Sequence, residues 1–523
     1  MKYISIILIF LTTLSYSQRW NSDSENKSND PIVQSIVDEA NNNSQLEILA
    51  HELFDVIGPR LVGTPQMQQA HDWAVKKYNE WGIEAYNHEW GKWRGWERGI
   101  THIDMIEPRL RTLVGRQLAW SPSTKKNGII GEVVVVPEVE NKDDFERWLE
   151  TVKGKFVLVS QYQPTGRPDS NWEEYALPES FEKMKNDRRE ISRKWYSNIS
   201  STGYGYRDIS SAFEKAGAIG LISSYWSRVP GSNKVFNART EKIPNIDVNL
   251  EDYGTLYRLA KNDKKPVVKV IATSTELGDV PTFNTIAQIK GVEKPNEYVI
   301  LSAHFDSWDG GQGTTDNGTG TLVMLEAMRI LKKIYPNPKR TILVGHWGSE
   351  EQGLNGSRAF VEDYPEIIEN TQSVFNQDNG TGRVVKLSGQ GFLYSHEFIT
   401  KWLYKVPRNI SKNIETDFPG LPSSGGSDYA SFVSAGIPAF SLSSLSWDYS
   451  SFTWHTTLDT YDKIVFDDVR SNVILTAILA YAASEESELV SREKRVMPIN
   501  PRTGRKMDWP SVRKPNRDGT SIK

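Results

Sequence analysis

Residues 304–318 read His304-Phe-Asp306-Ser-Trp-Asp-Gly-Gly-Gln-Gly-Thr-Thr-Asp316-Asn-Gly, a glycine-rich loop directly after the apolar run 298–303. Histidine and aspartate are ligands suited to zinc, and Asp316, well past His304 in the loop, lets the chain return to the same ion. Asp-Asn-Gly and Gly-Gln-Gly are also ordinary turn chemistry, so the loop alone leaves both readings open. Three later segments add to it. Glu350 and Glu351 follow the run 341–347, and neighbouring side chains leaving a strand point apart, so one can bind metal while the other faces substrate. Asp378 follows the run 373–377, and His455 lies in Trp454-His455-Thr-Thr-Leu-Asp459. Taken singly, a glutamate pair is solvated surface, Asp378 an Asx-turn and His455 a capping or core residue. Taken together, two histidines, two aspartates and a glutamate, with one glutamate to spare, meet the needs of two zinc ions roughly 3.5–4 Å apart: a bridging carboxylate, further ligands and a free base.

These residues need a scaffold that delivers them to one place. From 282 onward the texture is α/β: strands near 285–289, 298–303, 341–347 and 373–377, and a helix over 319–331 with Leu322, Leu325, Met328 and Leu331 on its core face. Ligands at the carboxyl ends of such strands are the expected geometry. Upstream, helices are expected over 31–40, 44–57 and 66–81, the last ended by Gly82, with His51 and His71 as structural histidines. Trp90, Trp93 and Trp96 read as packing against a sheet. Between 111 and 273 short β-rich runs (131–136, 155–160, 217–222, 267–271) form a separate module whose polar middle, 166–200, reads as a solvated face or exposed insertion.

Length and composition bound the rest. A chain of 523 residues implies two or three domains. The net charge is −4 with acids and bases interspersed, which argues against a nucleic-acid partner. There is no cysteine, hence no disulfide, no thiolate zinc site and no lipidated N-terminal cysteine, so any metal falls to His, Asp and Glu. Residues 1–17, with Lys2, an apolar stretch and small residues before Gln18, read as a cleaved secretory signal too short for a membrane anchor. Secretion or a periplasmic location is expected. Residues 491–523 are basic, proline-rich and aperiodic, and read as an extended or disordered tail.

His304-x-Asp306, Asp316-Asn-Gly, Glu350-Glu351-x-Gly, Asp378 and the His455 segment, in this order, resemble the M28 zinc metallopeptidases. The leader, the insert and the 304–313 stretch are most similar to the plasma glutamate carboxypeptidase (carboxypeptidase Q) branch. Gly154-Lys-Phe-Val-Leu-Val159, Ala216 to Ile222 and Ile243 to Val248 resemble a protease-associated domain. The resemblance implies a mixed-sheet zinc-exopeptidase domain, phosphorylase/hydrolase-like, with helices on both faces. It is discontinuous (31–115 and 274–490) around a protease-associated-like insert (116–273).

The resemblance also implies roles. Asp316 bridges two zinc ions, His304 and Asp378 complete one, and Glu351 and His455 the other. Glu350 is the general base for the attacking water, Asp306 orients His304 from behind, and Ser427, Asp428 and Tyr429 meet the substrate. Tyr429 stands where many relatives carry histidine, and upstream only Ser423 or Ser424 is available to hold an oxyanion. The sequons at Asn317 and Asn379 adjoin expected ligands and are expected to stay unused. The implied activity is aminopeptidase, dipeptidase or carboxypeptidase action on short peptides, and relatives of this plan raise a homodimer as a hypothesis. Two other readings stand beside it. A single-zinc glutaminyl-peptide cyclotransferase is disfavoured by the insert, and a non-catalytic receptor-like binding protein by the intact ligand set.

Overall fold

The computed structural model describes residues 28–519, so the leader-like stretch 1–17 lies outside the described residues. Thr64 accepts the Met67 amide at 3.3 Å and Pro65 occupies the first turn, where its missing N–H is not needed; helix α1 (Pro65–Glu80) starts there. Gly82, at φ +71°, turns the chain out of it. The backbone enters strand β1 (Glu84–Glu107) and departs into an insert. This holds β2 (Ile129–Val135), β3 (Phe156–Leu158), helix α2 (Pro178–Ser201), β4 (Gly220–Ser223) and β5 (Asn245–Val248). It returns along β6 (Val267–Ile289), antiparallel to β1 from Glu84 opposite Gln288 to Glu107 opposite Val267.

The sequence reading places two short strands at 267–271 and 285–289, whereas β6 runs through both and through the expected boundary at 273/274. β1 itself hides from a period-two search because its apolar residues do not alternate. Side chains three apart on a regular strand face opposite ways, yet Trp90, Trp93 and Trp96 are all buried. The ladder slips between Glu89 and Gly91 and again between Gly95 and Trp96, and these irregularities break the alternation beside the tryptophans.

The chain continues through β7 (Lys294–His304), α3 (Thr319–Ile334), β8 (Arg340–Trp347), β9 (Thr371–Asn376), β10 (Val384–Ser388), β11 (Ala439–Ser444) and α4 (Phe466–Glu485). Strands β11, β9, β7 and β8 pair parallel, with β10 and β6 antiparallel at the two flanks. They belong to one mixed sheet of fourteen strands among the described residues. Parallel strands covered on both faces are apolar throughout, and here alternate residues divide between two cores. Val299, Leu301, Ala303, Ile342 and Val344 pack with α3 and α4, while Ile300 and Leu343 pack on the opposite face with Phe360 and Phe432. Because β7, β8 and β9 run the same way, the residues at or just past their carboxyl ends (His304, Glu350 and Asp378) emerge along one edge.

In the insert, β2, β3, β4 and β5 are parallel neighbours around a core that includes Phe156, Ile222, Ile246 and Tyr253. Most of the polar middle, 166–200, falls in α2, which is 24 residues long and buries Met184 and Ile199. The tail beyond 490 is extended, as its composition indicates, but its described part is bound to the domain. Trp509 packs on Phe392 and donates to the Val433 carbonyl at 3.0 Å. Arg517 bonds the Trp90 carbonyl at 2.8 Å and pairs with Glu362 and Asp363. An aperiodic segment shows no core face to a pattern search, and single anchors such as these carry no periodicity.

Candidate metal centre

The loop after β7 is shaped by a buried cation. Arg60 donates to the carbonyls of Phe305 (2.8 Å), Gly58 (3.1 Å), Gln312 (3.0 Å) and Gly313 (2.6 Å), tying the helix-preceding loop to the 304–318 loop. Burial lowers its pKa to about 10, with Asp459, Asp306 and Asp316 pulling the other way. Asp459 accepts the backbone N–H groups of Thr315 (2.8 Å) and Asp316 (3.1 Å). The backbone that presents Asp316 is therefore held from both sides.

All five expected ligands converge. His304 Nε2 lies 3.5 Å from Asp316 Oδ1 and 3.3 Å from Asp378 Oδ1. His455 Nε2 lies 3.3 Å from Asp316 Oδ2 and 2.9 Å from Glu351 Oε2. Asp316 thus faces the two imidazoles with different oxygens and is common to two donor triplets, His304/Asp316/Asp378 and Asp316/Glu351/His455, each with its atoms within 4.8 Å of one another. His304 Nδ1 sits 3.0 Å from the Asp306 carbonyl, a contact that needs a proton on Nδ1 and leaves Nε2 as a lone pair. The His455 ring is wedged between Trp454, Phe236 and Trp308 at centroid distances of 3.9, 5.3 and 5.9 Å.

The electrostatics fit a cation. Desolvation, with Asp378, Asp428 and Glu351 adding repulsion against the pull of His304, raises the Glu350 pKa well above the usual carboxylate range. Desolvation and Asp316 do the same to Glu351. Burial lowers the His304 imidazole, but Asp378 and Glu350 outweigh it and leave its pKa well above normal. Left with protons alone, such a group of acids takes them up, which is the behaviour of a donor set with more negative charge than the protein balances. Glu351 Oε1 and Asp316 Oδ2 are buried without a hydrogen-bond partner, a costly state that ligation relieves. Oxygen and imidazole donors in two triplets suit zinc.

Asp306 touches both His304 and the glutamate turn. Its carbonyl holds His304, while its carboxylate accepts the backbone N–H groups of Glu350 (3.0 Å) and Glu351 (3.2 Å) and so fixes the turn that carries both glutamates. Ser427 and Asp428 are buried, and Ser427 Oγ accepts from Asn376 at 2.9 Å. Of that trio only Tyr429 is reachable from solvent. Asn317 is fully buried and donates to the Gln377 carbonyl at 2.9 Å, so its sequon has no room for a glycan. Sequence reasoning missed Arg60 and Asp459 as supports, although Asp459 stands in the same quoted segment as His455. It also missed Tyr449, whose phenol stands beside Asp316 and whose position carries no local signal.

Residues 284–478 match Peptidase family M28, a span that covers every donor of both triplets. The chain carries an M28 metallopeptidase domain. Carboxypeptidase Q of Mus musculus is 28% identical to this peptidase over 447 residues, covering 84% of this chain and 86% of that protein. Carboxypeptidase Q of Homo sapiens is 27% identical over 446 residues, covering 84% and 85%. Among solved structures, a peptidase M28 precursor from Shewanella amazonensis aligns with a TM-score of 0.63 and 22% identity, covering 88% of this chain and 97% of its own. A zinc aminopeptidase from Bacillus subtilis, BSAP, aligns with a TM-score of 0.54 and 19% identity, covering 86% and 97%. At these identities the structural likeness speaks for the fold, which is shared over most of the chain.

Proposed function

We propose that this peptidase is an exported di-zinc exopeptidase of short peptides, with Glu350 as its general base. The observation that carries the reading is the position of Asp316, whose two oxygens each face a different histidine. His304, Asp316 and Asp378 would hold one zinc ion, and Asp316, Glu351 and His455 the second. Zinc bound there would polarise the scissile carbonyl and bring the pKa of water toward neutrality.

The chain's own residues supply the rest. Glu350 would take the proton of the attacking water and later give it to the departing amine, so that one carboxylate serves both halves of the hydrolysis. Asp306 holds Glu350 for this task through its backbone N–H, so the side chain is free for the reaction. Tyr429, whose pKa is raised by desolvation, stays protonated at neutral pH and would donate to the carbonyl oxygen as it gains charge. Export rests on the residue 1–17 pattern. Among the described residues, no helix is long and apolar enough to cross a membrane.

The test pairs metal analysis with turnover. The purified protein should hold two zinc ions per chain and cleave free dipeptides, and Glu350→Gln should keep both metals while losing about 10²–10⁴ in kcat. A single tightly bound zinc would favour the cyclotransferase, and full activity in Glu350→Gln would remove the base assignment. Cleavage of N-blocked dipeptides alone would direct the enzyme to carboxypeptidase action.

A further inference from the structure

The two histidines of the metal centre are held in different ways. His304 is fixed from within the peptidase domain, its Nδ1 donating to the Asp306 carbonyl at 3.0 Å. His455 has no such bond, and its Nδ1 is buried without a hydrogen-bond partner. Its backbone is also unfavourable for a histidine, with φ at +61° in the left-handed region. Such a conformation persists only where neighbouring structure over-determines it. What fixes His455 therefore has to come from ring packing and from the backbone laid against it.

Much of both comes from the insert. Residues 233–236 of the β4–β5 connection lie antiparallel to the His455 segment, with Lys234 opposite Thr456. The Val235 amide donates to the His455 carbonyl at 2.7 Å, and the Thr457 amide donates to the Asn233 carbonyl at 3.3 Å. These two bonds fix the backbone on the carboxyl side of the left-handed residue. Phe236 then meets the His455 ring edge-on at 5.3 Å. Lys234 Nζ donates to the Ser450 carbonyl at 3.0 Å and lies 3.8 Å from the centre of the Trp454 ring, which itself packs on His455 at 3.9 Å. The segment is anchored in turn. Asn233 Nδ2 donates to Asp247 Oδ2 at 2.5 Å, and Asp247, on β5, also accepts from Ser223 of β4 at 2.9 Å. A run of direct contacts thus leads from the sheet of the insert to the second histidine.

We infer that residues 233–236 position His455, so that the triplet Asp316/Glu351/His455 depends on the insert and the triplet His304/Asp316/Asp378 does not. The inference rests on the di-zinc reading and adds that the two ions are held with unequal independence. Phe236 is the positioning residue that shows it best, because its ring can be removed without removing a donor atom. Contacts that orient a metal-binding imidazole from behind are worth about 10–100-fold in metal affinity.

Zinc titration of the full chain against a competing chelator tests the inference. The wild type should bind two ions. Phe236→Leu should weaken one of them about 10–100-fold and leave the other unchanged, and turnover lost at limiting zinc should return when zinc is raised. Phe236→Tyr, which keeps the ring, should bind both ions as the wild type does. Phe213→Leu, in the insert's hydrophobic cluster with Phe145 and Leu221, should lower stability without changing either affinity, which separates a weakened insert from a misplaced His455. Pairing the substitutions identifies the ion affected: Phe236→Leu should lower zinc affinity in Asp378→Ala, which keeps the second triplet, and not in Glu351→Ala, which keeps the first. Equal weakening of both ions, no weakening in Phe236→Leu, or the same loss in Phe213→Leu overturns the inference. A wild-type chain that binds a single zinc ion overturns the di-zinc reading instead and takes the inference with it.

Discussion

At the carboxyl edge of β7, β8 and β9 the charge is acidic, buried and fixed by backbone contacts, whereas in a cavity of the insert, between α2 and the β4–β5 connection, it is basic and carried on the partly or fully exposed ends of long side chains. Short acids such as Asp316 and Asp378 inherit the precision of the strand ends and loops that bear them. Arg189 and Lys185 reach from one helix face through flexible stems. The first arrangement suits ions, which demand donors at set distances. The second spreads its charge toward solvent and sets no such distances. If this contrast is right, substitutions in the first cluster should disturb both fold and chemistry, and those of Lys185 or Arg189 should leave both nearly unchanged.

The strongest test of the acidic side is Asp316→Ala. It removes the only donor common to both triplets, so zinc content should fall to near zero and activity with it, in contrast to Glu350→Gln, which should remain loaded. Two retained zinc ions would show that the triplets are independent. Next in size is Arg60→Met. Four backbone carbonyls lose their donor at once, and an unsatisfied buried acceptor costs about 1–3 kcal/mol, so with partial relaxation a loss of roughly 3 kcal/mol or more is expected in chemical denaturation. Added zinc should recover part of it, because an ion that binds only the folded state stabilises that state.

Both substitutions concern residues at different depths of legibility. The ligands were readable because each is a chemically distinct residue placed after an apolar run, and the parallel order of β7, β8 and β9 turns that placement into proximity. Arg60 stands in a Gly-Pro-Arg loop 245 or more residues away from the carbonyls of the 304–318 loop it holds, and sequence spacing alone does not say which distant backbone an arginine will meet. Strand β1 was hidden for a different reason: ladder slips put Trp90, Trp93 and Trp96 inside without the alternation that marks a strand. The cationic cavity was invisible because Lys185, Arg188 and Arg189 resemble any solvated helical face until the 224–236 segment is folded opposite them.

Asp306→Asn should produce a smaller effect than either. An amide can still accept one of the two N–H groups of Glu350 and Glu351, but its NH₂ then opposes the other, so the turn should loosen rather than unfold. A fall in zinc affinity of about 10–100-fold is expected from competition with a chelator, with little change in overall secondary structure. Unchanged affinity would mean that the turn holds its own shape and that the carbonyl of Asp306, which the substitution keeps, is the whole of its contribution through His304.

The smallest expected effect probes the basic side. Arg189 is exposed on α2 and removing its charge breaks no buried bond, so Arg189→Gln should alter stability by no more than about 0.5 kcal/mol. What effect remains should weaken as salt is raised, since exposed charges more than about 8–10 Å apart are screened near physiological ionic strength. Zinc affinity, set by buried donors in fixed geometry, should respond far less to the same salt. A substitution at Arg189 that lowered the unfolding midpoint as Arg60→Met does would place the basic residues in the framework of the fold, and the division between a rigid acidic centre and an adjustable basic cavity would no longer hold.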